Sequence, residues 1–246
     1  MAIPKKAFVL AAGKGERMRP LTDNCPKPLI EVGGVTMLDR ALDALAAAGV
    51  EEVVVNLWYL GEKIEDHLKS RTSPKIVFSH EKELLDTGGG VKQALSFFGD
   101  EPFYVLNADV IWTDGPQEST LKRLADAWDS SKMDLLLLLY PSANIPAYEG
   151  KGDYYLADGS NQPVFGKKTD QQANYIFAGP RIVHPRLFAN TPDGNFGFIE
   201  LFHKAEANNR LYALRHDGGW HHVGTPEAVE KTNQILAAQK NKKFAS

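Results

Sequence analysis

The stretch 7-AFVLAAGKGERMRPLT-22 is the most informative part of the sequence, because a short apolar run in it stops at a loop rich in glycine and positive charge. Residues 6–11 have the composition of a buried strand, and Gly13 and Gly15 follow it directly. In an open parallel sheet, ligands bind beyond the carboxyl ends of the strands. Glycines let backbone N–H groups approach a ligand closely, and Arg17 adds a charged donor. The stretch therefore predicts a phosphate-binding loop after the first strand of a sheet.

Alternating strand and helix patterns continue through the first 140 residues. They predict strands at 51–57, 75–79, 103–107 and 134–140, and helices at 36–48, 61–69, 91–98 and 118–129. Residues 142–173 are rich in Gly, Asn, Asp, Pro and Gln, which predicts a small β excursion. A strand at 174–185 and a helix at 225–240 follow. This order predicts an α/β fold with a Rossmann-like, mainly parallel sheet and helices on both faces.

Composition excludes several classes of protein. The 246 residues suit one α/β domain, and we expect a single domain over 1–246. A net charge of −3 gives no global basic field of the kind that binds nucleic acid or a membrane. No apolar run approaches the roughly 20 residues that a membrane span needs. With Cys25 as the only cysteine, a reducing compartment is indicated, so we expect a cytoplasmic protein.

Two common phosphate-binding loops do not match the first loop. The dinucleotide fingerprint requires a third glycine where this chain has Met18, and the Gly-Lys-Ser/Thr end of the P-loop is absent. A solvated basic turn stays open as the alternative when the loop is considered alone.

The loop and the segments after it resemble the sugar-1-phosphate nucleotidylyltransferases. The matching segments are LAAGKGERMRPLT at 10–22, PKPLIEVGG at 26–34, LLDTGGG at 84–90, LNADV at 106–110, FAG at 177–179 and GWHHVGTPE at 219–227. The resemblance spans residues 5–235 and implies that a nucleoside triphosphate and a sugar 1-phosphate are joined, with release of pyrophosphate. Within the family, the chain most resembles bacterial N-acetylmuramate-1-phosphate uridylyltransferases, which implies UTP. Mannose-1-phosphate guanylyltransferases, which use GTP, are the alternative.

The resemblance also implies the nucleotide side of the site. The implied contacts are Leu10, Ala11, Ala12, Gly13, Gly15, Glu81, Leu84, Thr87, Gly88 and Gly89. Arg17 would hold the outer phosphates, and Lys27 would bridge the α-phosphate and the attacking phosphate. Asp109 follows the apolar strand FYVL and is suited to hold Mg²⁺, which prefers oxygen ligands. A turn or cap aspartate is the structural alternative.

One position departs from the family pattern. Where the family has a second metal-binding aspartate, this chain has His222, and histidine suits Mn²⁺ better than Mg²⁺. We therefore expect Mg²⁺, with Mn²⁺ as the alternative, at Asp109 and His222. A zinc site of His216, Asp217, His221 and His222 is a further alternative, although no matching pair of ligands is evident.

The acceptor side of the site is less clearly marked. The resemblance implies substrate contacts by Asn107, Gly152, Asp153, Gly179 and Trp220, in a sugar-binding half at 141–224 that follows a nucleotide-binding half at 1–140. The family's Glu-Lys-Pro element is missing, and Lys167 and Lys168 are candidate substitutes or a solvated loop. A non-catalytic nucleotide-sugar-binding regulator and a transferase with a non-sugar acceptor remain as other classes. We expect a monomer or a small homo-oligomer.

Overall fold

The computed structural model of the chain describes residues 3–116, 118–146, 148–166 and 173–244. Its strands are β1 (Lys6–Leu10), β2 (Glu31–Val32), β3 (Val35–Thr36), β4 (Glu52–Leu57), β5 (Lys75–His80), β6 (Phe103–Asn107), β7 (Val110–Thr113), β8 (Leu135–Pro141), β9 (Tyr154–Tyr155), β10 (Val164–Phe165), β11 (Tyr175–Val183), β12 (Leu211–Arg215) and β13 (Gly219–His222). Its helices are α1 (Met37–Ala47), α2 (Gly61–Leu68), α3 (Asp86–Gln93), α4 (Thr120–Ala127), α5 (Ile199–Ala207) and α6 (Pro226–Phe244).

A mixed sheet forms the centre of the described residues. Its core strands are parallel, as the alternation of strands and helices predicts, and they have the order β6-β1-β4-β5. On the other side of β6, β11 runs antiparallel and is followed by β8 and β12. The short strands β9 and β10 join the beginning of β11 and form the predicted β excursion. The predicted α/β class and mainly parallel core are therefore confirmed.

Helices cover both faces of the sheet, because successive residues of a strand point to opposite sides. In β1, Ala7 and Val9 pack in one apolar cluster with side chains of α1, α2 and α4. Phe8, between them, packs in a second cluster with side chains of α3 and α5. Burial of apolar surface contributes about 25 cal/mol per Å², so these two layers fix the sheet and the loops at its edge.

The predicted helix starts are found at two places. Thr36 Oγ1 accepts a hydrogen bond of 3.0 Å from Asp39 N at the start of α1. Thr225 Oγ1 accepts one of 3.3 Å from Ala228 N at the start of α6. Each bond satisfies a backbone donor that a helix leaves free in its first turn. Among the described helices, none is both long and apolar enough to cross a membrane.

The predicted limits of one helix are wrong, and six elements were not predicted: the two-residue strands β2 and β3, and β7, α5, β12 and β13. The helix expected at 91–98 is α3, which begins at Asp86 and ends at Gln93. Gly88, Gly89 and Gly90 therefore lie inside the helix, whereas the predicted helix begins after them. β7, α5, β12 and β13 lie in segments without clear periodicity. The three strands are stabilised by pairing with each other or with β8, far away in the sequence.

Strand β11 is irregular where it passes the end of β6. Tyr175 pairs with β9, whereas Arg181 lies opposite Val105 of β6. The register against β8 shifts between Phe177 and Arg181. Gly179, with a φ of +104°, lies in this bulge. The bulge therefore stands beside the carboxyl end of β6, where the candidate site lies.

Candidate active site

The first loop is shaped by Gly15. Its φ of +64° is left-handed, and its carbonyl oxygen accepts hydrogen bonds from Met18 N at 2.8 Å and Thr22 Oγ1 at 2.9 Å. A Cβ at Gly15 would lie 2.9 Å from Lys27 Cβ, which is closer than such atoms approach. Glycine therefore lets the loop turn tightly and pack against Lys27.

The first loop packs against an apolar cluster of residues that are distant from it in sequence. Met18 is fully buried in a cluster with Val32 and Val223. Helix α6 adds Leu236 to this cluster, and Asn233 Oδ1 accepts a hydrogen bond of 2.6 Å from Gly33 N. The backbone of the loop is thus fixed, although several of its side chains are exposed.

Arg17 and Lys27 have different environments within this loop. Arg17 is exposed and forms no hydrogen bond or ion pair with another described residue. Lys27 has only 14% of its side chain exposed, and its Nζ donates to Asp109 Oδ2 at 2.7 Å. Arg17 is therefore free to bind an anion, whereas Lys27 is already oriented by a carboxylate.

Asp109 lies beside two basic side chains, Lys27 and His222. Its Oδ2 lies 2.7 Å from Lys27 Nζ and 3.5 Å from His222 Nε2. Burial acts to raise the pKa of Asp109, but the hydrogen bond from His222 and the charge of Lys27 outweigh it and hold this pKa well below its usual range. The carboxylate is therefore ionised at neutral pH, and its Oδ1 remains available to a cation.

The position of His222 follows from strand pairing. In the antiparallel ladder of β7 and β13, His222 lies opposite Val110, the residue after Asp109. Val223 N also donates to the carbonyl oxygen of Asp109 at 2.9 Å. These contacts place His222 beside Asp109, where the sequence resemblance expects a second metal ligand.

The alternative zinc site is not assembled. Asp217 forms an ion pair with Arg123, and His216 is buried against the ring of Tyr140. Within the described ranges, no three histidine, cysteine or acidic side chains converge as metal ligands. Asp109 and His222 are therefore the pair that remains for a metal ion whose other ligands come from substrates.

A cavity of about 570 Å³ opens beside Lys27 and Asp109 at the carboxyl ends of β1 and β6. The predicted residues that line it are Leu10, Ala11, Ala12, Gly13, Gly15, Arg17, Lys27, Leu84, Thr87, Asn107 and Asp109. Those that do not line it are Glu81, Gly88, Gly89, Gly152, Asp153, Gly179, Trp220 and His222. The structure thus brings the phosphate loop, both candidate catalytic cations and the carboxylate to one cavity.

Glu81 does not line this cavity but forms hydrogen bonds with residues of its wall. It is 7% exposed, and its Oε1 accepts a hydrogen bond of 2.6 Å from Asn56 Nδ2. Its Oε2 accepts one of 3.0 Å from Leu85 N, and Asn56 Oδ1 in turn accepts one of 2.7 Å from Ala11 N. Burial raises the pKa of Glu81, while the bonds from Leu85 and Asn56 oppose that shift. The carboxylate therefore joins β1, β4 and the start of α3.

The glycines of α3 permit close packing. A Cβ at Gly89 would lie 2.1 Å from the carbonyl oxygen of Gly194, and one at Gly88 would lie 2.5 Å from the ring of Phe196. Both glycine N–H groups donate to Phe196 O, at 2.9 and 3.1 Å. The segment around Phe196 therefore lies against α3, and Gly88 and Gly89 are buried beneath the cavity wall.

The predicted acceptor-side residues support the bulge of β11. Trp220 Nε1 donates to Ala178 O at 3.0 Å, and Asp153 Oδ2 accepts from Phe177 N at 2.8 Å. Trp220 also stacks between Tyr140 and His222. A Cβ at Gly152 would lie 2.4 Å from Ala173 O. Lys167 and Lys168 lie outside the described residues.

Sequence reasoning missed five polar residues of the cavity lining: Lys14 and Glu16 in the first loop, and Asn56, Asp86 and Asn195 elsewhere. Asn56 interrupts the apolar part of the strand EVVVNL after Glu52, and that break in an apolar run was an available signal. Asn195 Nδ2 donates to Leu84 O at 2.8 Å, across 111 residues of sequence. No local pattern marks that contact, because it depends on the loop before α5 folding over α3.

Fold and site together define an α/β protein whose cavity brings two basic side chains, Arg17 and Lys27, together with the carboxylate of Asp109. The nucleotidyl transferase family model matches residues 6–148. N-acetylmuramate alpha-1-phosphate uridylyltransferase from Caulobacter vibrioides is 40% identical, over 95% of this chain and 98% of its own. The enzyme of the same name from Neisseria meningitidis is 32% identical, over 96% of this chain and 100% of its own. Mannose-1-phosphate guanylyltransferase catalytic subunit beta from Danio rerio is 31% identical over 90% of this chain and 62% of its own.

A solved structure supports the fold. UDP-glucose pyrophosphorylase complexed with UDP-glucose superimposes with a TM-score of 0.79 at 19% identity, over 96% of this chain and 99% of that one. The chain therefore belongs to the nucleotidyl transferase family and is an enzyme of its sugar-1-phosphate nucleotidyltransferase branch, as the motifs predict. Members of this family generally depend on a divalent metal ion.

Proposed function

We propose that the protein joins UTP and N-acetylmuramate 1-phosphate to form UDP-N-acetylmuramate and pyrophosphate. The observation that carries this proposal is the Lys27–Asp109 pair, 2.7 Å apart at the edge of a cavity lined by the first loop. The choice of substrates is supported by the 40% identity to the Caulobacter uridylyltransferase over nearly the whole chain.

The residues act by positioning and charge neutralisation. Arg17 and the backbone N–H groups around Gly13 and Gly15 hold the β- and γ-phosphates of UTP. Lys27 contacts both the α-phosphate and the phosphate of the sugar, which brings the two anions together. Contacts that strengthen as charge develops in the transition state accelerate the reaction.

In the reaction, an oxygen of the sugar phosphate attacks the α-phosphorus of UTP in line. The bond from that phosphorus to the bridging oxygen of the β-phosphate breaks, and pyrophosphate leaves with the electron pair. No enzyme nucleophile is required, and Cys25 does not line the cavity. Lys27 stays protonated and neutralises the oxygens between the two substrates.

A divalent cation fits the donor set at Asp109. The carboxylate is ionised, its Oδ1 is available, and the adjoining cavity has room for phosphate oxygens to complete the coordination. When bound there, Mg²⁺ or Mn²⁺ supplies positive charge that stabilises the phosphates in the transition state. His222, 3.5 Å from Asp109 Oδ2, is the second candidate ligand.

The nucleobase lies against Leu84 and Thr87 in this proposal. Ala11 and Ala12 line the same cavity. Three predicted contacts support the cavity wall without lining it. Glu81 orients Asn56 by a hydrogen bond, and Gly88 and Gly89 let α3 pack closely against the segment around Phe196. The sugar lies toward the bulge at Gly179, with Trp220 and Asp153 holding that bulge.

The test is a pyrophosphate-release assay with UTP, GTP, CTP, dTTP and ATP, each against a panel of sugar 1-phosphates. The panel contains the 1-phosphates of N-acetylmuramate, N-acetylglucosamine, mannose and glucose, with Mg²⁺ and Mn²⁺ in parallel. Turnover highest with UTP and N-acetylmuramate 1-phosphate is the expected result. A higher kcat/KM with another pair would replace the proposed substrates.

A second candidate reaction is that of GTP with mannose 1-phosphate. The guanylyltransferase relative at 31% identity favours it, although the alignment covers 62% of that relative. A non-catalytic nucleotide-sugar-binding regulator is the third reading, favoured by His222 in place of the expected aspartate. Binding of a nucleotide without pyrophosphate release from any pair would support the regulator.

A further inference from the structure

Arg181 is a fully buried cation without an acidic partner. Only 1% of its surface is exposed, and its Nη1 donates to Asn107 Oδ1 and Gly179 O, both at 2.8 Å. Its Nε is buried and makes no hydrogen bond, and the described residues place no carboxylate beside it. Both of its acceptors are neutral. The chain therefore keeps an uncompensated positive charge directly behind the candidate site.

Three phenylalanine rings surround the guanidinium group. Its central carbon lies 4.2 Å from the ring centre of Phe198, 5.3 Å from that of Phe177 and 6.0 Å from that of Phe202. The faces of aromatic rings attract cations and offset part of the desolvation. Burial lowers the pKa of Arg181 to about 9, so the group is still charged at neutral pH.

The chemistry of arginine fixes the orientation of Asn107. A guanidinium group only donates hydrogen bonds, so the amide atom that meets Arg181 is the oxygen Oδ1. The amide nitrogen Nδ2 is turned away from Arg181, and no described residue accepts a hydrogen bond from it. Asn107 lines the cavity two residues before Asp109. Its Nδ2 is therefore the group that Asn107 can offer to a ligand.

We propose that Arg181 is a positioning residue that fixes the Asn107 amide so that Nδ2 donates to a phosphate oxygen of the bound substrates. The buried charge polarises the amide and strengthens that donor, because charges act over longer range where water is excluded. Its second bond, to Gly179 O, holds the bulge beside Asn107 in the same arrangement. This inference rests on the proposed function for the identity of the phosphates.

The first test replaces Arg181 with methionine, which keeps an unbranched apolar side chain among the three rings. Since apolar replacements of buried ions are often neutral or stabilising, the variant should fold. With the preferred substrates, we expect kcat to fall by about ten- to a hundredfold, the range for a lost hydrogen bond to a charged group. An unchanged kcat would overturn the proposal.

The second test asks whether Arg181 acts through Asn107. Asn107→Ala should lower kcat by a similar factor, and the double variant Arg181→Met/Asn107→Ala should lose little more than either single one. Losses that multiply in the double variant would show two independent effects and would contradict the positioning role.

Arg186→Met is the matched control. Arg186 follows the same strand but pairs with Asp134, at the other end of β11 from the cavity. We expect this variant to lower the melting temperature and to keep the wild-type kcat. A fall in kcat as large as that of Arg181→Met would assign both losses to general destabilisation, against the proposal.

A third measurement needs no turnover. In protein labelled with ¹⁵N at asparagine, the Asn107 side-chain amide signals are those that disappear in Asn107→Ala. Inorganic pyrophosphate should shift these signals in the wild type and leave them in place in Arg181→Met. The same response in both proteins, or none in the wild type, would overturn the inference. Because this readout is independent of the substrate panel, failure of the proposed reaction is distinguished from failure of this role.

Discussion

The ammonium nitrogen of Lys27 lies 2.7 Å from Asp109 Oδ2, which joins the first loop to the end of β6 across 82 residues of sequence. The pair lies at the edge of the cavity, so each partner orients the other there, where the proposed reaction places the phosphates. When anionic substrates and a cation bind, Lys27 can exchange part of its contact with Asp109 for phosphate oxygens. The pair thus prepares two opposite charges for the reaction.

Replacement of Lys27 should therefore affect the chemical step. For Lys27→Ala we expect kcat to fall by about 10²-fold or more, because a charged donor to the reacting phosphates is lost. The affinity for UTP, measured by calorimetry, should change little. Lys122→Ala is the control, since Lys122 pairs with Glu118 on the surface of α4. A pure loss of UTP affinity would argue against the bridging role.

Arg17 should matter for activity and hardly at all for stability. Its side chain is exposed and has no partner among the described residues, so Arg17→Ala should change the unfolding free energy by less than about 0.5 kcal/mol. The kcat/KM for UTP should fall by about 10²-fold, since charge-assisted bonds to phosphate are lost. Arg19→Ala, which breaks a surface pair with Asp23, is the control. A normal kcat/KM in Arg17→Ala would refute the assignment of the loop.

His222 should set the preference between metal ions. In His222→Asp a second carboxylate would stand near Asp109, and two carboxylates favour Mg²⁺. We expect the ratio of the rates with Mg²⁺ and Mn²⁺ to rise, together with a larger increase of the melting temperature on adding Mg²⁺. His222→Asn controls for loss of the imidazole. An equal metal ratio in the wild type and both variants would exclude His222 from metal binding.

Glu81 should link stability to nucleotide affinity. Glutamine keeps one of the two acceptor oxygens, so Glu81→Gln leaves either Asn56 Nδ2 or Leu85 N without its acceptor. We expect a loss of about 1–3 kcal/mol in the unfolding free energy and a higher KM for UTP. Glu83→Gln, at an exposed neighbouring position, should change neither quantity. A stable variant with wild-type KM would exclude the supporting role.

The glycines of α3 should be required for packing. Gly89→Ala places a Cβ 2.1 Å from a backbone oxygen, so we expect at least about 1–3 kcal/mol of destabilisation in chemical unfolding. Gly13→Ala is the control, because no atom lies within 4 Å of that Cβ. Equal stability of the two variants would show that the segment at Gly194 moves aside.

Local patterns in the sequence were sufficient to predict the core of the sheet and the position of the first loop beside the cavity. The run AFVLAAG and the charged residues after it are contiguous, so their positions in a parallel sheet follow from general rules. Asp109 was identifiable because a lone carboxylate at the end of an apolar strand is unusual. The limits of α3 could not be predicted, because three consecutive glycines are typical of a turn. Inside a helix they are expected only where a neighbouring segment packs too closely for a side chain, as Gly194 and Phe196 do here.

The contacts that complete the site depend on distant segments. Arg181 has the sequence context of an ordinary strand residue, because its contacts with Asn107, Phe198 and Phe202 join segments that are separate in the sequence. Asn56 and Glu81 meet because β4 and β5 are adjacent in register, with Asn56 opposite Ser79 and Leu57 opposite His80. Such relationships arise from pairing and packing, which a single sequence does not encode in its local periodicity.

The cluster beneath the first loop has a consequence for synthesis. Met18 rests on residues that include Val223 and Leu236, and Gly33 is bonded to Asn233, 200 residues later in the chain. A ribosome that adds about 5–20 residues per second makes the loop first and its support last. While the chain is growing and α6 has not yet been made, the loop with Arg17 lacks these contacts with Leu236 and Asn233. Under the proposed function, the protein therefore becomes active only after α6 has emerged and packed beneath the loop.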